Sequence, residues 1–297
     1  MSFASRACGW LAALLLLAVP VAVAQEGAGN VVYVPTPQAV VDTMLEMARV
    51  GPADMVIDLG SGDGRMIITA AKKYGARGLG VDLDRYLLKV ANGLAQKEGV
   101  AERARFIEQN LFETDLTPAT VITSYLLPEM NLELRPKILA LKPGTRVVAH
   151  DYDMGNWPTD QEKVLDVPGK TVGTPGKSHV FLYIVPAKVA GAWRSVIADA
   201  PYEFAFDQEF QFVQGTARSG KREGKVPEFR LVGDRIEFTS RIGAQDHRFA
   251  GTVKGGRIEG IVTIGQRQTP WTAELTKAWP VSDGSGQAPR KYRHLKQ

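Results

Sequence analysis

Asp58 and Asp82 bracket a run of glycines, and the chemistry of this chain begins in that spacing. The segment Val56-Ile57-Asp58-Leu59-Gly60-Ser61-Gly62-Asp63-Gly64-Arg65 carries an apolar run into an acid and then into a GxGxG triplet. Glycines there allow a tight turn in which a ligand meets bare backbone. A carboxylate at a strand end can accept two hydroxyl groups together. Two nucleotide chemistries are excluded by the same spacing. Dinucleotide sites use GxGxxG with a pyrophosphate on the helix N-terminus, whereas here the third glycine comes one residue early and Arg65 takes the slot. A P-loop needs a lysine and a Ser or Thr after its last glycine, and here Arg65 and Met66 follow.

These residues must be held by an alternation of strands and helices. Val56 to Leu59 reads as a buried strand. A helical pattern follows, with Ile67, Ile68, Ala71 and Tyr74 on one side, and Gly78 to Asp82 reads as a second strand ending in an acid. Strand, glycine loop, helix, strand and acid make one half of a nucleotide-binding α/β fold. Further helices are predicted over about 38–50, 85–97 and 129–141. Strands are predicted over 104–108, 120–126, 146–150 and, at the sheet edge, 178–185. The alternation implies a parallel sheet covered on both faces.

GxGxG after an acid, followed by Asp82, resembles the first motif and the acidic motif of class I S-adenosylmethionine (SAM) methyltransferases. The resemblance implies SAM as cofactor, with Gly60, Ser61, Gly62 and Gly64 forming the loop, Asp82 on the ribose hydroxyls and Asp58 or Asp63 near the positive charges. It also implies that Asn110, after the third strand, contacts the adenine; a loop-turn asparagine is the alternative. The fourth strand runs into Ser124-Tyr125-Leu126-Leu127-Pro128. Ligands of open α/β sheets bind outside the carboxyl ends of the strands, so Tyr125 and Pro128 are candidates for the wall of an acceptor channel. The Asn-Pro-Pro-Tyr motif of enzymes that methylate nucleobase amino groups is absent, which argues against DNA or RNA as acceptor.

Tyr33-Val34-Pro35-Thr36-Pro37 supports two readings. One is a helix start with Thr36 as N-cap and Pro37 at N1. The other is a lid over the cofactor. His150-Asp151-Tyr152-Asp153 offers an imidazole and two carboxylates at the end of the fifth strand; one reading of them is a general base. With no third spaced ligand, the pattern does not make a metal site.

Together with Asp58 to Arg65 and Ala70-Ala71-Lys72, the Tyr-Val-Pro-Thr segment resembles one methyltransferase family. It contains the lysine methyltransferases of the adenine nucleotide translocase and of the ATP synthase c-subunit. The resemblance covers about residues 31–160. It implies a protein-lysine acceptor and moves Tyr33 and Thr36 to the mouth of the site. Asp82 stands where the eukaryotic members carry Glu, and the Tyr125-Leu126-Leu127-Pro128 end also departs from them. A small-molecule methyltransferase and a non-catalytic binding protein of the same fold are the other readings.

At 297 residues and 44% hydrophobic content the chain can build two cores. Residues 1–24 read as a signal peptide: Arg6, an apolar run from Trp10, and Ala22-Val23-Ala24 before Gln25. That predicts a secreted or periplasmic protein; an uncleaved membrane anchor at 10–24 is the alternative. Export would separate the protein from cytosolic SAM. The single cysteine, Cys8, lies in that segment. A methyltransferase domain is expected over 25–190. Near Ala190 helical periodicity gives way to period two, with Tyr202, Phe204, Phe206, Gln208, Phe210 and Phe212 on one face. Short strands and glycine turns follow, predicting a small antiparallel barrel or sandwich over 191–279 and a mobile basic tail over 280–297. The formal net charge of +4 is weak for this length and calls for no nucleic acid. Arg218, Lys221, Arg222 and Lys225 read as a solvated turn, with contact to an acidic membrane surface as the alternative.

Overall fold

The computed structural model describes residues 33–282. The signal segment, Cys8 and most of the basic tail lie outside the described residues. The elements of the first half are α1 (Gln38–Met47), β1 (Met55–Leu59), α2 (Arg65–Tyr74), β2 (Arg77–Asp82), α3 (Arg85–Lys97), β3 (Ala104–Glu108), β4 (Val121–Ser124), α4 (Pro128–Leu139), β5 (Arg146–His150), β6 (Gln161–Asp166) and β7 (Lys177–Ile184). They build one sheet in the order β3-β2-β1-β4-β5-β7-β6. The first five strands run parallel, whereas β7 is antiparallel to both β5 and β6.

β1 is buried on both faces, which is why it reads as a nearly continuous apolar run. Val56 packs with α1, α2 and α3, and Ile57 and Leu59 point into the opposite core with α4. Local signals set the helix ends. Asp84 caps α3 by accepting the backbone N–H groups of Tyr86 (2.8 Å) and Leu87 (3.1 Å). Gly75, in the left-handed region at φ 69°, ends α2.

The second half is β8 (Gly191–Ile197), β9 (Ala200–Glu209), β10 (Phe212–Ser219), β11 (Arg222–Arg230), β12 (Arg235–Ile242), β13 (Gln245–Lys254), β14 (Arg257–Ile264) and β15 (Arg267–Ala278). They form a single antiparallel sheet in the order β11-β10-β9-β8-β15-β14-β13-β12. The two ends of this sheet meet: the Ser240 hydroxyl donates to the Lys225 carbonyl (3.0 Å), and a Cβ on Gly224 would lie 2.2 Å from the Arg241 carbonyl oxygen. A near-closed barrel results. Its interior is filled by Phe204, Phe206, Phe238, Phe249 and Trp271, whose rings meet edge-on or stacked at 4.7–6.0 Å. Period two holds from Tyr202 to Gln208. Phe210 then takes φ 50° in the hairpin turn and leaves the barrel, so the six even positions do not share one face.

Phe210 enters the first half instead. It packs in the core of the parallel sheet with Trp157 and Tyr183, stacks on Trp157 at 6.3 Å, and lies under the Arg135 guanidinium at 5.7 Å. Beside it, the Gln211 amide accepts from Trp157 Nε1 (3.1 Å) and donates to the Pro158 carbonyl (2.6 Å). Arg230 of β11 pairs with Asp160. The barrel thus covers a part of the sheet face that α4 leaves open.

Candidate functional site

The strand order reverses between β1 and β4, and a cavity of about 230 Å³ opens at the carboxyl ends of those two strands. This is the position at which open α/β sheets take ligands. Tyr33, Thr36, Asp58, Gly60, Ser61, Asp82 and Tyr125 all line it, as do Asp63, Arg65, Met44, Ser124 and Met130.

The glycine loop is held from behind. The N–H groups of Gly60 and Ser61 both donate to the Val81 carbonyl (3.0 Å). Gly62 N–H donates to Asp82 Oδ2 (2.8 Å), and Asp84 N–H donates to Asp82 Oδ1 (2.9 Å). Asp82 therefore clamps the loop to the end of β2 while facing the cavity. Gly62 and Gly64 are not lining residues. A Cβ on Gly62 would sit 2.4 Å from the Tyr33 ring, and one on Gly64 would sit 2.6 Å from Phe106 and 2.8 Å from Ala91. These glycines give close approach, to Tyr33 and to the strand–helix packing respectively.

Tyr33, Val34, Pro35 and Thr36 line the cavity, and the helix-start reading of this segment does not hold. Thr36 does not cap α1: Pro37 occupies the N-cap position, and no side chain caps the helix. The Thr36 hydroxyl is instead 3.2 Å from His150 Nδ1, drawn to the end of β5. Its carbonyl accepts Arg65 Nη1 (2.8 Å). Arg65 also grips Asp63 through Nε (2.9 Å) and Nη2 (2.5 Å), so it ties the Tyr-Val-Pro-Thr segment to the glycine loop. Burial would raise the Asp63 carboxyl, but its hydrogen bonds and charge pairing with Arg65 outweigh that and lower it. Burial and the neighbouring Asp63 carboxylate push the Tyr33 phenol up to about 12.

Asp58 is a buried carboxyl that accepts a hydrogen bond from the Thr123 hydroxyl (2.6 Å). No cation pairs with it among the described residues. Burial pushes it up to about 7, against the Thr123 hydrogen bond and with a further push from Asp82 and Asp63. Two hydroxyls on the cavity wall, Ser61 Oγ and Ser124 Oγ, are buried without a partner. Such groups cost free energy unless a ligand satisfies them. An acid awaiting a cation, a second acid at a strand end and two orphaned hydroxyls fit a ligand with a positive charge and several hydroxyl and amine groups. SAM has that donor set.

Tyr125 forms the wall opposite the loop. Its ring lies 4.0 Å from the His150 ring and 6.3 Å from Tyr152, and its phenol donates to Asp151 Oδ2 (2.9 Å). Burial, then that hydrogen bond and the charge of Asp151, raises its pKa. His150 has no exposed surface; it bridges the hydroxyls of Thr36 and Ser178 (2.9 Å to the latter). Burial pushes it down to about 4, so it is neutral at physiological pH and supports Tyr125 from beneath. Neither it nor Asp151 lines the cavity.

Two candidates stand elsewhere. Asn110 closes a turn through its side-chain oxygen, which accepts Phe112 N–H (3.0 Å); its neighbours Gln109 and Leu111 line the cavity. Pro128 is the first residue of α4 and sets the start of that helix, while Met130, two residues on, reaches the cavity. Arg65 was legible only as a departure from a dinucleotide pattern. Its position directly after the last glycine was the one signal of a clamp.

Residues 58–161 match the ANTKMT methyltransferase domain. A protein-lysine N-methyltransferase of Saccharolobus islandicus is 46% identical over 159 residues, which are 52% of this chain and 94% of that protein. The chain belongs to the ANTKMT methyltransferase family. It is thus a class I SAM-dependent methyltransferase with a β-barrel after its catalytic half. The human ATP synthase C-subunit lysine N-methyltransferase is 30% identical over 129 residues, and this methyltransferase spans about half of it (54%). A solved RNA methyltransferase of Salinibacter ruber with bound S-adenosyl-L-homocysteine is 45% identical; the match covers 52% of this chain and 96% of that one, with a TM-score of 0.47.

In this methyltransferase Asp58 predicts a pH dependence of cofactor binding. A carboxyl with a pKa of about 7 is neutral below that pH, and only its ionised form attracts the cationic cofactor. SAM affinity should therefore rise with pH and level off above 7, falling about tenfold per pH unit below it. Titration calorimetry between pH 5.5 and 8.5 checks this. Asp58→Asn should bind weakly at every pH, and a wild-type affinity flat across that range would refute the assignment.

Proposed function

We propose that the methyl acceptor is a lysine side chain of a protein. The observation that carries this reading is the 46% identity across 94% of a protein-lysine N-methyltransferase. The walls of the cavity agree with it. Tyr33, Pro35, Tyr125, Leu126 and Met130 give an aromatic and apolar surround that disfavours a charged ammonium. A free lysine has a pKa of about 10.4, so a desolvating channel shifts it toward the nucleophilic amine. Bound SAM supplies the electrophilic methyl group on its sulfonium. The chain itself holds the cofactor with Asp58, Asp82, Ser61 and Ser124, excludes water with Tyr33 and Pro35, and aligns the incoming amine along Tyr125.

Incubating the purified protein with methyl-labelled SAM and, separately, a protein extract, a metabolite pool and RNA tests this. Mass spectrometry of the digested protein arm should find label on lysine Nζ. Label confined to metabolites or RNA would overturn the reading. We also propose that the protein works outside the cytosol, a reading supported by the signal-like residues 1–24. Cell fractionation with N-terminal sequencing checks it: a cytosolic chain that keeps residues 1–24 sinks it.

A further inference from the structure

Behind Tyr125 lies a buried ion pair that the assigned chemistry does not use. Lys170 Nζ is 2.6 Å from Asp151 Oδ2, and the two side chains are 6% and 2% exposed. Lys170 comes from the glycine-rich connection between β6 and β7 and also donates to the Lys177 carbonyl (2.5 Å). Asp151 is over-determined. It sits at φ 61°, in the left-handed region that a non-glycine residue seldom occupies. His179 N–H donates to its Oδ1 (3.2 Å), and His150 Nε2 lies 3.5 Å from the same oxygen. A Cβ on Gly173 would come within 2.6 Å of Oδ2, so only glycine lets that connection close over the carboxylate. Much local structure is committed to fixing one carboxylate, and that carboxylate accepts the hydrogen bond of the Tyr125 phenol.

We propose that Asp151, held by Lys170, is a positioning residue that makes Tyr125 select amine acceptors. A phenol has one proton and two lone pairs. With the proton committed to Asp151, Tyr125 offers only lone pairs elsewhere, and it lines the cavity. It can then accept an N–H bond from an amine, but it cannot donate to a carboxylate, a carbonyl or a deprotonated hydroxyl. A hydrogen bond of this kind gives directionality as well as selection: the nitrogen lone pair is left to point away from the phenol. The preference for amines is thus set by two residues that never meet the acceptor. Nothing in the Tyr125 position alone would give it, because an unanchored phenol rotates its proton to suit either partner.

This inference rests on the lysine reading above, and the two fail differently. Asp151→Asn is the informative variant, since asparagine tolerates the left-handed backbone and its amide can donate to the phenol oxygen and turn the Tyr125 proton outward. Asp151→Asn/Lys170→Met removes both buried charges together, and Tyr125→Phe deletes only the oxygen. For the protein substrate found with the wild type, kcat/KM should fall about tenfold to a hundredfold in all three, chiefly through KM. SAM affinity of the Asp151→Asn and double variants should stay within about twofold of wild type, because neither residue lines the cofactor cavity. The single variant Lys170→Met should lose activity as Asp151→Asn does, whereas Lys170→Arg should keep most of it. Folded Asp151→Asn and Tyr125→Phe proteins with wild-type KM and kcat on lysine would overturn the proposal while leaving the lysine reading intact. A wild type that labels no lysine would overturn both.

Discussion

Replacing Asp82 by alanine should weaken SAM binding at least a hundredfold. The carboxylate has two tasks that a single methyl cannot share. It fixes the loop, through Gly62 N–H on one oxygen and Asp84 N–H on the other. It also presents its remaining lone pairs to the cavity, where two ribose hydroxyls can donate. Each hydrogen bond to a charged group contributes about 1.5–3 kcal/mol, so losing a pair of them alone accounts for a factor of a hundred or more. The freed loop adds to the loss, since Asp82 is what ties the N–H of Gly62 in its left-handed turn. Asp82→Asn should be nearly as damaging, because its amide turns a donor toward one of the two N–H groups. Asp82→Glu should retain binding within about tenfold, at a cost in loop geometry. Calorimetry decides: an alanine variant that binds within threefold of wild type would remove Asp82 from the site.

The second large effect lies far from the chemistry. Trp157→Ala should destabilise the protein by about 3–5 kcal/mol, the range for deleting a buried tryptophan. Trp157 is 1% exposed, lies 4.8 Å from the Tyr183 ring, stacks on Phe210 and donates to Gln211. It is where the parallel sheet and the barrel share a core. The wild type should therefore unfold as one unit in urea, with near-ultraviolet and far-ultraviolet signals coinciding. In Trp157→Ala the two should separate, the sheet going first. Trp157→Phe keeps most of the apolar contact but strands the Gln211 oxygen, at about 1–3 kcal/mol. A single unshifted transition in Trp157→Ala would mean that Trp157 neither stabilises the protein nor couples its two halves.

The α/β half was legible because its signals are local. The glycine loop, the acids at the ends of β1 and β2, and the apolar periods of α2 and α3 each specify one element, and several boundaries coincide with those expected. Four strands escaped for identifiable reasons. In β11 the inward positions are Gly224 and Val226 among charged neighbours, so Arg222 and Lys225 read as a turn although they lie on the strand. β6 is an edge strand of Gln, Glu and Lys with almost no buried face, so no alternation marks it. In β8 a serine, Ser195, takes an inward place between Trp193 and Ile197. In β10 the inward positions are Val213, a bulge at Gly215, and Ala217, too small for a period to show. Thr36 looked like a cap because capping is a local rule, and a histidine distant in sequence took its hydroxyl instead. The Lys170–Asp151 pair was invisible for the same reason: it depends on the antiparallel pairing of β5 with β7.

Phe210 also fixes an order of events in making the protein. The parallel sheet is complete in sequence at Ile184, but part of its core is supplied by a residue synthesised later. That residue is held by a barrel whose first strand, β8, pairs with its last, β15. Pairing of this range is slow, since a long loop must close before any contact rewards it. The catalytic half thus leaves the ribosome with Trp157 and Tyr183 unroofed until β15 has followed. During that interval it should expose apolar surface of the sort that chaperones shield. A chain cut just after the sheet would keep the site and lose the roof.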